Sequence, residues 1–126
     1  MLRLLLVSCF TFIVASCDYG VKWKDDPYEV NWIDISSNRA LAYSLGNGTS
    51  IGRVQARVIS VGSNKKYIVA KRQVPKTETV QYYFIDRQKD DKYLNLNQIT
   101  QGPFTKEAFV TLKDELGLPE FSKDFE

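Results

Sequence analysis

Histidine is missing from all 126 residues, and only two cysteines and one methionine are present. Without histidine, Ser/His/Asp and Cys/His catalysis are excluded, as are the usual zinc sites. Both cysteines, Cys9 and Cys17, lie in or at the edge of the N-terminal apolar segment, so the rest of the chain can form no internal disulfide. Charge of one sign is also lacking. Seventeen basic residues stand against fifteen acidic ones, a formal +2, which leaves no electrostatic footprint for nucleic acid. The basic pairs Lys65-Lys66 and Lys71-Arg72 fall where solvated side chains of a hairpin are expected. No glycine loop for phosphate and no dinucleotide fingerprint occurs, since Gly46-Asn47-Gly48 has no following lysine and helix.

The longest apolar run, Leu4 to Ala15, is about a dozen residues, whereas a membrane-spanning helix needs about 20. With Arg3 before it and small Ser16 after it, the run has the three-part layout of a secretory leader. Val14-Ala15-Ser16-Cys17 resembles the lipobox of bacterial lipoproteins, in which an aliphatic and two small residues precede a cysteine that is acylated and becomes the new N-terminus. The resemblance implies cleavage between Ser16 and Cys17, lipid on the Cys17 sulfur, and attachment to a bacterial membrane on its periplasmic or extracellular face. Asp18, directly after that cysteine, is similar to a signal for retention in the inner membrane. The leader is thus residues 1–16, and residues 17–27, polar and aromatic, are expected to be a lipidated tether.

Residues 28–126 are expected to form one α+β domain: an antiparallel meander of about five strands with a single C-terminal helix packed on it. Period-two alternation begins near Tyr28 and continues through Ile35. Ala40 to Leu45 is a second strand, closed by the Gly46-Asn47-Gly48 turn. From Gly52 to Val61, Arg53, Gln55 and Arg57 alternate with Val54, Ala56 and Val58, which predicts one strand with a wet and a buried face. Gly62 to Lys65 turns the chain into Lys66 to Gln73 as a hairpin, and Thr79 to Asp86 is the strongest strand and should be central. Residues 93–100 give no assignment. Thr105 as cap, a Phe104/Phe109 staple, Glu107 in the first turn, a Phe109/Leu112/Leu116 stripe and Gly117-Leu118-Pro119 define the helix, which Phe121 and Phe125 should seal.

Ile51-Gly52-Arg53, Val58 to Gly62, Tyr67 to Lys71, Tyr82 to Asp86, Gly102-Pro103-Phe104-Thr105 and Leu116-Gly117-Leu118-Pro119 together resemble a family of small uncharacterised bacterial lipoproteins, described as a domain of unknown function. The similarity spans Tyr28 to Phe121. It implies location and fold and carries no activity, cofactor or catalytic residue.

The function this points to is a non-enzymatic, membrane-anchored binding module of the cell envelope, with no cofactor or metal besides the covalent lipid. Its expected partner is an envelope protein or a cell-wall glycan, met through a sheet face or an exposed edge strand. Trp23, Tyr28 and Trp32 are the candidate binding surface, because exposed aromatic rings stack on sugars and anchor protein contacts. An inhibitor or immunity protein of the envelope is a narrower form of the same class. The alternative is a hydrolase of glycans that uses two carboxylates from distant segments, such as Asp34 and Asp86, because the adjacent pairs Asp25-Asp26 and Asp90-Asp91 point apart and stay solvated. Asn47-Gly48-Thr49 matches a glycosylation acceptor but is turn chemistry in a bacterial lipoprotein.

Overall fold

The computed structural model describes residues 19–125. Their strands form two antiparallel sheets. The first is a meander in chain order: β1 (Tyr19–Asp25), β2 (Tyr28–Ile33), β3 (Arg39–Gly46) and β4 (Thr49–Val54). The second contains β5 (Val58–Ser63), β6 (Tyr67–Gln73), β7 (Val80–Asp86), β8 (Gln101–Phe104) and the two-residue β9 (Lys123–Asp124), in the order β8-β7-β6-β5-β9. Helix α1 (Leu96–Ile99) is a single turn, and α2 (Lys106–Leu116) follows β8.

One sheet of about five strands is what the sequence pattern suggests; the described chain has two. The expected strands divide between them: Tyr28 to Ile35 and Ala40 to Leu45 correspond to β2 and β3 of the first sheet, and Lys66 to Gln73 and Thr79 to Asp86 to β6 and β7 of the second, which α2 covers. The division into two sheets is hidden in the sequence because the Gly52 to Val61 alternation is not one strand. Its first half ends β4 at Val54, its second half starts β5 at Val58, and Gln55 to Arg57 carry the chain between sheets. The polar stretch expected to be a tether is corrected likewise: Tyr19–Asp25 is the edge strand of the first sheet, paired along β2 from Tyr19↔Ile33 to Asp25↔Tyr28.

The second sheet is buried on both faces, which explains why Tyr67 to Ala70 is an unbroken apolar run. Ile68, Ala70 and Ile85 face the first sheet and meet Tyr28, Val30, Leu41 and Val54 in the main core. Tyr67, Val69, Tyr82 and Phe84 point the other way and meet Phe109, Leu112, Leu118 and Phe121 beneath α2. Burying a side chain such as Phe109 contributes roughly 1.5–3 kcal/mol. Gly62, in β5, lies against the C-terminal segment, and a Cβ there would run into the Glu120 carbonyl oxygen.

The local signals of the sequence act as expected in several places. Asn47 and Gly48, at φ 55 and 77, make the two-residue turn between β3 and β4. β5 and β6 pair as a hairpin, and β7 lies inside the sheet between β6 and β8. The Thr105 hydroxyl accepts from the Ala108 N–H at 3.2 Å, and Gly117, at φ 73, closes α2 by donating to the Lys113 carbonyl. Two details differ. Leu116 is exposed rather than part of the packed stripe, and Phe125 packs on the core between the sheets instead of sealing α2.

Candidate functional site

Arg53 was expected on the wet face of its strand and is completely buried. Its guanidinium forks onto Asp90, with Nε donating at 2.9 Å and Nη2 at 2.8 Å to the two carboxylate oxygens. Nη2 also donates to the Asp91 carbonyl and Nη1 to that of Gly52. The Tyr28 hydroxyl donates to Asp90 at 2.8 Å, and both charged side chains are fully shielded from solvent. Burial, and then the Asp90 carboxylate, push the Tyr28 phenol far above its ordinary value. The expectation that Asp90 and Asp91 are a solvated pair therefore fails for Asp90: its oxygens are taken by donors from β2 and β4.

This knot fixes the start of the segment between β7 and α1. Arg87 fixes it a second time, because Nη1 donates to Asp25 at 2.8 Å and to the Asn64 carbonyl at 2.9 Å, while Nη2 donates to the Asp26 carbonyl. A hydrogen bond from Ser63, opposed by burial and aided by Arg87, holds the Asp25 carboxyl below its usual range. The β1–β2 turn, the β5–β6 turn and the 87–95 segment are thereby clasped at one end of the molecule.

The clasped segment walls a cleft of about 370 Å³ on the α2 side of the second sheet. Its floor is apolar and aromatic, from Tyr67, Phe84, Leu94 and Ile99, and its rim carries Asp86, Lys89, Gln98 and Gln101. An apolar floor with a few convergent polar groups is the usual composition of a ligand site. A second, more polar cleft of about 620 Å³ opens at the other end, between the β2–β3 turn and the C-terminal segment, lined by Lys22, Ser36, Ser37, Arg39 and Lys123.

Edge-strand recognition finds little support in the geometry. β1 is bulged at Lys22 and carries Lys22 and Lys24, β4 is covered by α1 with the Thr100 hydroxyl on the Arg53 carbonyl, and β8 contains Pro103. Trp23, Tyr28 and Trp32 do not share an open face. Tyr28 is buried in the knot, Trp23 packs against the main core, and Trp32 lies over Gly20. Asp34 and Asp86 do not converge either. Asp34 follows the far end of β2, whereas Asp86 precedes Arg87 in the clasp, at the end of β2 that begins with Tyr28. Ser16, Cys17 and Asp18, the expected cleavage, lipidation and sorting residues, lie outside the described residues. Among the described residues no helix is long and apolar enough to cross a membrane, and no three acidic or cysteine side chains group as metal ligands.

A family model described as Protein of unknown function (DUF3997) matches residues 26–123, from the β1–β2 turn to β9. The chain belongs to the DUF3997 family. No curated protein and no solved structure matches it. The match takes in Arg53, Arg87, Asp90 and the whole cleft beside α1, so the knot and the cleft both lie within the DUF3997 domain. Sequence reasoning missed these residues. Asp90 stands in a polar run, Arg87 to Lys92, that reads as a solvated loop; the available signal was an arginine facing outward in an otherwise well-patterned strand.

Proposed function

We propose that this DUF3997 protein is an exported lipoprotein, cut before Cys17 and anchored by lipid on that sulfur, whose domain is a non-enzymatic binding module of the bacterial cell envelope. The observation that carries the reading is Val14-Ala15-Ser16-Cys17 at the end of an apolar run too short to span a bilayer. The binding element is the cleft between the 87–95 segment, α1 and the second sheet. Its aromatic floor suits a ligand with a flat apolar body, and its amide and charged rim suits a ligand edged with hydrogen-bonding groups. Sugar rings of the cell wall and aromatic side chains of envelope proteins share those properties.

The test uses the full lipoprotein with purified cell-wall sacculi in one arm and photo-crosslinking to envelope proteins, from position 101, in the other. One arm is expected to report saturable binding, weakened about ten-fold by Lys89→Glu with Gln98→Ala, the worth of one or two hydrogen bonds. Asp114→Asn, on the exposed side of α2, should leave binding unchanged. Binding in neither arm, or binding that ignores the cleft variants, contradicts the proposal.

A further inference from the structure

We propose that the end of the domain bearing the β2–β3 turn and the C-terminal strand rests on an anionic lipid surface, with Ile33 and Ile35 entering the headgroup layer and Lys22 and Lys123 meeting lipid phosphates. The proposal rests on the anchoring reading of Cys17, and adds a protein face to the lipid. Cys17 stands two residues before Tyr19, so their Cα atoms are separated by at most about 7 Å. Tyr19 opens β1 directly opposite Ile33. A lipid on Cys17 thus places Ile33 beside the bilayer with no tether between.

The face itself has the composition of an interfacial contact. Ile33 and Ile35 are 56% and 61% exposed, and Val21 on the neighbouring strand is 46% exposed. Lys22, Arg39 and Lys123 line the adjoining polar cleft with one carboxylate, Asp124, which accepts a hydrogen bond from the Ser60 hydroxyl, and Asp34 between the isoleucines is the opposing charge of the turn. Apolar insertion and basic contact reinforce a lipid anchor because each adds to an attachment already made at high local concentration. The turn is also built in advance. The Ile35 N–H donates to the Ile33 carbonyl at 2.9 Å, the Asn38 N–H to that of Ile35 at 3.0 Å, and Arg39 Nη1 to that of Ser36 at 3.1 Å. Little ordering is left to be done on contact. The cleft beside α1 lies at the opposite, clasped end, where such docking would present it to the envelope space.

The full lipoprotein carries the test, in vesicles of phosphatidylcholine with or without phosphatidylglycerol. An environment-sensitive dye is attached through Ser36→Cys or, at the far end of β3, through Leu45→Cys; Cys17 is consumed by lipid and Cys9 leaves with the leader. The dye at position 36 should shift to shorter wavelength, more strongly with phosphatidylglycerol, and be quenched by headgroup-labelled lipid, while the dye at 45 stays water-like. Ile33→Asp with Ile35→Asp should abolish the shift while intact mass still shows the lipid, and Lys22→Glu with Lys123→Glu should remove the phosphatidylglycerol dependence. A water-like dye at 36 in lipidated protein overturns the docking proposal and leaves the anchor standing. A shift that appears without vesicles and grows with protein concentration overturns it in favour of self-association. A mass without lipid overturns the anchoring reading instead.

Discussion

Replacing Asp90 with alanine is expected to lower the unfolding free energy by about 3–5 kcal/mol, because the guanidinium of Arg53 is then left buried and without its counter-ion. Domains of this size are stable by about 5–15 kcal/mol, so the loss is a large fraction of the whole. The knot is not thereby a large net source of stability. Desolvating both charges cancels much of their attraction, and Arg53→Met with Asp90→Leu, which removes both, should lose less than Asp90→Ala, its remaining loss being the buried Tyr28 hydroxyl and the carbonyls left without partners. Urea unfolding of the two single variants and the double checks this. A loss in the double variant equal to the sum of the two single losses would mean that the pair carries no coupling. The position of the loss matters for function too: Asp90 and Arg87 hold the segment that walls the cleft, so variants of either should loosen amide protection there before the strands.

The second large effect concerns place rather than folding. Cys17→Ala is expected to move the protein from the membrane fraction to the soluble fraction while leaving its unfolding midpoint unchanged, since the domain's first strand begins at Tyr19. Two or three acyl chains hold a protein permanently, whereas one binds reversibly at about 10⁴ M⁻¹ and none leaves only what the protein surface provides. The residual attachment of Cys17→Ala should therefore be slight and weakened by salt, which screens Lys22 and Lys123 and leaves only the contact of Ile33 and Ile35. Fractionation at low and high ionic strength reads both parts. A variant that has lost residues 1–16 and is still held in the membrane fraction at high salt as firmly as wild type contradicts lipid on this residue.

Local chemistry was legible in the sequence wherever it acts over a few residues. The caps of α2, the Asn47-Gly48 turn and the β5–β6 hairpin all follow from neighbours in the chain. What the sequence hid is decided at long range. Period-two alternation counts the same whether or not the chain changes sheets, so the passage from β4 to β5 through Gln55 to Arg57 left no mark in the pattern. β1 was obscured by its lysines and by the bulge at Lys22, which breaks the alternation so that Val21 is exposed while Trp23 packs on the core. Arg53 looked solvated because its partner is 37 residues away, in a run that reads as a polar loop. The cleft suffers from the same limit, since its lining is drawn from β6, β7, the 87–95 segment, α1 and β8. The resemblance of residues 14–17 to a lipobox, by contrast, is one that needs no fold to be read.

The proposed location, docking and presentation of the cleft all depend on lipid at the sulfur of Cys17, and intact mass spectrometry of the protein from its native host tests it directly. The expected mass is that of a chain beginning at Cys17 with a diacylglyceryl group, with or without a further acyl chain. A chain that still carries residues 1–16, or one that begins at Cys17 with a free thiol, would contradict it.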